Sequence, residues 1–191
     1  MDLYLVRHGE TEWSLSGQHT GLTDIPLTTG GEADARGLST RLAGVPFSHV
    51  FTSPLQRAAR TCELAHLSPT PEVDPDLAEW NYGAFDGLTT AEIHKQEPDW
   101  NLFRDGCPGG ESPTDVTTRV DRFIARVRAL DGNVAAFSHG HLGRVLAARW
   151  LGLPLHLGGH FLLGTASVSQ LRLAGAPPQP AIVRWNVGPV A

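Results

Sequence analysis

Three times along this chain a short apolar run ends in a small polar cluster and then gives way to a helix-forming stretch. No other feature constrains the fold as much. Residues 2–6 are rich in strand formers and end at Arg7-His8-Gly9. Residues 48–52, Ser-His-Val-Phe-Thr, end at Ser53-Pro54, and Pro54 suits the first turn of a helix carrying Arg57, Arg60 and Leu64. Residues 133–137 end at Ser138-His139-Gly140-His141, ahead of a helix over 142–151 with Val145, Leu146 and Trp150 facing inward. Strands alternating with helices at this spacing make a mainly parallel sheet with right-handed connections and helices on both faces. Ligands of such sheets bind beyond the carboxyl ends of the strands, so the three polar clusters are expected at one crevice.

The remaining segments fit that plan. Residues 30–43 read as a helix through Ala33, Ala35, Leu38, Leu42 and Ala43. A longer helix is capped by Ser112, with Pro113 at its first position and Asp115 three residues after the cap; Val116, Val120, Phe123, Ile124, Val127 and Leu130 form its apolar face. Residues 74–87 are loop-like and hold Glu79-Trp80-Asn81-Tyr82-Gly83, residues 89–96 suit a short helix, and Gly106 to Gly110 breaks regular structure. Closing strands are expected over 167–173 and 181–185, separated by the turn Pro177-Pro178-Gln179-Pro180. The fold predicted is a three-layer α/β/α sandwich with a mainly parallel central sheet, one domain over residues 1–191.

Composition narrows the class. With 191 residues, 41% hydrophobic and 18% charged, the chain buries roughly 70% of its unfolded surface, which excludes a disordered or fibrous protein. No apolar run approaches the ~18 residues of a membrane span, and no basic segment followed by an apolar one opens the chain, so a soluble, unexported protein with no membrane partner is expected. Cys62 and Cys107 are too few for a disulfide framework, which fits a reducing cytoplasm. A net charge of −5 opposes nucleic-acid binding.

Arg7, Arg57, His8 and His139 brought to one crevice favour an anion, and planar guanidinium groups match phosphate oxygens two at a time. Helix N-termini after Ser53 and Gly140 are expected to add N–H donors. His8, beside a Gly9 that lets a substrate approach closely, is the candidate nucleophile, because a neutral imidazole nitrogen attacks phosphorus without prior deprotonation. Such a site needs neither metal nor cofactor. A leaving alkoxide needs a proton, and Glu79 beside Trp80 and Tyr82 is the candidate donor, since an apolar setting favours a protonated carboxyl.

Arg7-His8-Gly9-Glu10-Thr11-Glu12-Trp13, Gly21-Leu22-Thr23-Asp24-Ile25-Pro26-Leu27-Thr28, Thr52-Ser53-Pro54-Leu55-Gln56-Arg57-Ala58 and Ser138-His139-Gly140-His141 resemble the signature blocks of the histidine phosphatase superfamily, phosphoglycerate-mutase-like branch. The resemblance runs over nearly the whole chain. It implies that His8 is phosphorylated, that Arg7, Arg57 and His139 complete the phosphate pocket, and that Glu79 is the proton donor. The stretches 14–21, 79–83 and 100–107 look most like sedoheptulose-bisphosphatase-type members and bacterial acid phosphatases. On that likeness Ser14, Thr20, Gly21, Tyr82, Arg104, Gly140 and His141 are the expected substrate contacts, although many relatives carry asparagine where Ser14 stands.

The cofactor-dependent mutases of the family have a longer insertion with paired arginines; residues 95–111 offer only Lys95 and Arg104. Hydrolysis of a small phosphorylated metabolite, a sugar phosphate or bisphosphate, is therefore expected over a bisphosphoglycerate-dependent mutase, and a phospholigand-binding module without turnover is the third class. His139 and His141 form a His-x-His pair, yet no third or fourth ligand stands at a regular offset, so no metal is assigned. Cys107 is read as an inert thiol. Selectivity is expected in loops 14–24, 80–111 and 156–164. Oligomeric state is left open, a homodimer included.

Overall fold

Strand β1 (Asp2–Arg7) divides its side chains between two cores, Leu3 and Leu5 joining one and Tyr4 and Val6 the other. A strand covered on both faces requires that alternation. After a short α1 (Glu12–Ser16) comes α2 (Thr29–Arg41), then β2 (Phe47–Thr52), α3 (Gln56–Leu64) and a two-residue β3 (Glu72–Val73). The second half contains α4 (Thr90–Ile93), α5 (Leu102–Asp105), α6 (Pro113–Arg128), β4 (Asn133–Ser138), α7 (Gly140–Trp150), β5 (Val168–Ala174) and β6 (Gln179–Val187). The computed structural model describes residues 1–189; Val190 and Ala191, the end of the expected domain, lie outside them.

The sheet order is β3-β2-β4-β1-β5-β6. The first four strands are parallel, whereas β5 runs antiparallel to β1, and β6 antiparallel to β5. Leu38 of α2 and Cys62 of α3 cover one face, in a core with Val6, Val50, Ala135 and Phe137. On the other face Phe123 and Val127 of α6 and Val145 and Trp150 of α7 share a core with Leu3, Leu5, Val134 and Ala136. This is the expected three-layer α/β fold. Ser112 caps α6 through a reciprocal pair with Asp115, as the Ser-Pro-Thr-Asp spacing predicts.

Two local expectations are corrected, and two short elements have no counterpart in the sequence reading. Helix α3 begins at Gln56, not at Pro54, because Leu55 N–H donates to Ser53 Oγ (3.2 Å) and Gln56 N–H to Asp24 Oδ1 (2.8 Å), a cap supplied from a distant loop. Strand β6 begins at Gln179, inside the expected turn; it is the sheet edge, where Pro180 costs no ladder hydrogen bond. Elements β3 and α5 have two and four residues, too few to give a periodic signal.

The register brings the strand exits together. Arg7 pairs with Ser138 and Thr52 with Phe137, while His8 N–H donates to Ser138 O and Ser53 N–H to Phe137 O, both at 2.9 Å. Gly9 is needed for packing: a Cβ there would lie 2.4 Å from Gly31 O, and one on Gly31 would lie 2.2 Å from Glu10 O. The first turn of α2 thus rests directly on the backbone behind His8. Gly31→Ala is expected to lower stability by about 1–3 kcal/mol through overpacking, while Gly37→Ala, on the same helix with open space around it, should gain up to about 1 kcal/mol from helix propensity. Urea unfolding of the two variants checks this; equal midpoints would show that the contact relaxes without cost.

Candidate active site

His8 is buried, and its Nδ1 lies 2.6 Å from the carbonyl oxygen of Gly9. A carbonyl only accepts, so Nδ1 carries the proton and Nε2 keeps its lone pair. Burial first, then the Arg7 and Arg57 guanidinium charges, hold the imidazole well below its usual pKa of 6.5, and the ring is neutral at physiological pH. It lines a cavity of about 110 Å³ together with Arg7, Glu79, Tyr82, Gly140 and His141. Arg7 Nη1 donates to Leu163 O (2.5 Å), whereas its buried Nε has no hydrogen-bond partner. A Cβ at Gly140 would approach the Arg7 guanidinium to 3.3 Å, so a small residue there gives the cation room.

Arg57 and His139 form the layer beneath, both fully buried. Arg57 Nε donates to His139 Nδ1 (3.1 Å), which puts the His139 proton on Nε2, where it donates to Ser53 Oγ (2.7 Å). The rest of the guanidinium is held by loop carbonyls: Nη1 donates to Thr23 O (3.1 Å), and Nη2 to Thr20 O (3.0 Å) and Gly21 O (2.8 Å). That loop is fixed in turn by Asp86, whose carboxylate accepts from Gly21 N–H (2.8 Å), Thr23 N–H (3.2 Å) and Thr23 Oγ1 (2.7 Å). Nothing in the sequence marks Asp86, since a loop carboxylate has no period.

The surroundings of Glu79 differ from the aromatic setting the sequence suggests. Its Oε1 accepts from Trp80 N–H (2.9 Å) and Leu142 N–H (2.8 Å), and its Oε2 accepts from His141 N–H (3.0 Å). The first turn of α7 therefore spends two N–H groups on this carboxylate. Gly140 N–H makes no hydrogen bond among the described residues. The N-terminus of α3, expected to face the ligand, is instead capped by Asp24.

The seven expected substrate contacts divide. Ser14, Thr20, Tyr82, Gly140 and His141 line the cavity with His8. Ser14, however, spends its hydroxyl on the α1 cap, donating to Thr11 O (2.8 Å) and accepting from Thr11 N–H (2.9 Å). Gly21 serves Arg57 through its carbonyl, and a Cβ there would strike Tyr82 at 2.9 Å. Arg104 is not brought to the site. It is exposed, paired with Asp105 (2.7 Å), and lines a separate cleft with Trp100 and Cys107. Gln18, His19 and Leu163, which fall in loops expected to carry selectivity, also line the cavity, as does Arg144, which lies outside those loops. The Tyr82 hydroxyl lies 2.5 Å from His141 Nδ1, and the His19 ring lies 4.9 Å from that of Tyr82. Cys107 is buried, and burial raises its thiol pKa to about 12, so it stays protonated, as expected of an inert thiol. Among the described residues no group of three His, Cys, Asp or Glu is placed to hold a metal ion, and no helix is long and apolar enough to cross a membrane.

The model of the histidine phosphatase superfamily (branch 1) matches residues 3–188. An acid phosphatase of Mycobacterium tuberculosis is 41% identical over 170 residues, which cover 87% of this chain and 83% of that protein. A sedoheptulose 1,7-bisphosphatase of Saccharomyces cerevisiae is 38% identical over 187 residues, covering 78% of this chain and 67% of its own length. A solved structure of an open-reading-frame product from Mycobacterium tuberculosis superposes with a TM-score of 0.92 at 36% identity, covering 98% of this chain and 97% of that one.

Proposed function

We propose, on the premise that this chain belongs to the histidine phosphatase superfamily (branch 1), that it hydrolyses phosphate monoesters of small metabolites, a sugar phosphate or bisphosphate, without a metal. The observation that carries this reading is the state of His8: neutral, fixed by Gly9 O in the Nδ1–H tautomer, and set with a free Nε2 beside two guanidinium groups. In the first step the Nε2 lone pair attacks phosphorus, the P–O bond to the ester oxygen breaks, and that oxygen takes a proton from Glu79. In the second step the Glu79 carboxylate takes a proton from water, the water oxygen attacks phosphorus, and the N–P bond breaks to release inorganic phosphate. Arg7 Nε and Gly140 N–H are free donors for the charge spread over the equatorial oxygens, and their orientation is set before the ligand arrives.

Hydrolysis is favoured over a mutase because Arg104 turns away to Asp105, leaving residues 95–111 without a cation on the cavity that holds His8. A phosphate-release screen over sugar mono- and bisphosphates, phosphoglycerates, nucleotides and phosphopeptides, ranked by kcat/KM, tests the reading. Free phosphate should appear at a rate independent of added 2,3-bisphosphoglycerate and of EDTA. Interconversion of phosphoglycerates without phosphate release would instead establish the mutase.

A further inference from the structure

A separate cavity of about 220 Å³ opens where the helical layer over one sheet face runs out. Helices α2 and α3 cover that face only as far as Tyr4 and Val168, and no β6 side chain joins their core. Residues directly opposite on neighbouring strands share a face, so Tyr4, Gln170 and Arg184 form one row across β1, β5 and β6, and Val168 and Val187 belong to the next. The apolar ground of the cavity is Tyr4, Leu42, Val168 and Val187, with Val187 46% exposed. Its charged groups are two arginines. Arg41, at the end of α2, is held by backbone carbonyls, Nη1 donating to Val187 O (3.2 Å) and Nη2 to Ala166 O (2.7 Å). Arg184 is exposed on the edge strand. Among the described residues no carboxylate lines the cavity and neither arginine forms an ion pair, whereas Arg172 of β5 is paired with Asp2 (2.6 Å). Asp2 also accepts from Gln170 Nε2 (2.6 Å), so the acid of β1 is already taken.

Two guanidinium groups without counter-charges beside an apolar floor fit an anion carried on a hydrocarbon body. The head pairs with the cations, and the body takes Leu42, Val168 and Val187 out of water. A planar carboxylate matches a guanidinium two oxygens at a time. We infer that this cavity binds a monocarboxylate with a short hydrocarbon body, at a site apart from the one that His8 lines. The two cavities share no lining residue, so binding here does not require that His8 be a nucleophile.

The test titrates octanoate into the isotopically labelled full chain and follows backbone amides by NMR. The amides of Val168 and Val187 should shift and saturate, while those of Gly140 and His141, on the His8 cavity, stay in place. Butyrate lacks most of the body and octanamide lacks the charge, and each should bind at least about tenfold more weakly than octanoate. Arg184→Glu reverses a charge on an exposed edge residue. It should lower octanoate affinity by about ten- to a hundredfold at an unchanged melting temperature, and Arg184→Gln by about tenfold. Absence of saturating shifts at Val168 and Val187, saturating shifts at Gly140 and His141 in their place, equal binding of octanoate and either analogue, or Arg184 variants that bind like the wild type would overturn the inference. Shifts at Val168 and Val187 that follow protein concentration without octanoate would overturn it too, by giving this face to a second copy of the chain.

Discussion

Replacing His8 with alanine is expected to lower phosphate release by at least about 10⁴-fold, because the proposed route has no second nucleophile. The fold should survive: His8 N–H donates to Ser138 O through the backbone, and the Gly9 contact with α2 involves no His8 side-chain atom. Rapid quench with a radiolabelled ester followed by peptide mapping should find acid-labile label on His8 in the wild type and none in the variant. Substantial turnover by the variant, or label on another side chain, would end the assignment. The pH profile supplies an independent check. Because the folded-state pKa of His8 is depressed below 6.5, the ring is still neutral at pH 6.5 and loses its lone pair only as pH falls through the lower value. The acid limb of kcat/KM attributable to this group should therefore lie below 6.5.

Glu79→Gln is expected to cost about 10²–10⁴-fold, the usual contribution of a general acid. Glutamine brings a second difficulty, since its amide NH₂ cannot accept from the N–H groups of Trp80, His141 or Leu142 that now meet a carboxylate oxygen. Leaving-group dependence separates the two effects. Misplacement of α7 would slow all esters alike, whereas loss of a proton donor slows sugar phosphates far more than p-nitrophenyl phosphate, whose phenolate departs unaided. A uniform loss across both kinds of ester would assign the carboxylate to structure and send the search for the acid elsewhere, with the Tyr82–His141 pair first in line.

The strand exits were legible because each is marked twice, by an apolar run and by the polar cluster that ends it. The three layers followed from the order of those runs. What could not be read was nearly always a partner far away in sequence. That Gly9 is also required for packing shows only when Gly31 is set against it. The start of α3 depends on Asp24, and the surroundings of Glu79 depend on the backbone of α7 more than on Trp80 and Tyr82, which follow it closely in the chain. Arg104 was grouped with the substrate contacts because it falls in a family-like stretch, but a neighbouring aspartate turns it outward. Arg144 has the opposite history: of the two arginines on α7 it is the one on the cavity, while Arg149 pairs with Asp121.

Behind the nucleophile, the backbone contact of Gly9 with Gly31 is joined by Thr28, whose N–H donates to Glu10 O (3.0 Å) and whose hydroxyl donates to Glu10 Oε1 (2.7 Å). The segment between is consequently stitched shut at its base. Side-chain substitutions at Gln18 and His19 on the cavity wall can alter what the mouth admits without shifting the reactive imidazole relative to the sheet, whereas length changes would also move the Thr20, Gly21 and Thr23 carbonyls that hold Arg57. A scaffold of this design leaves the side chains of the loop free to vary while its backbone is committed to the phosphate pocket.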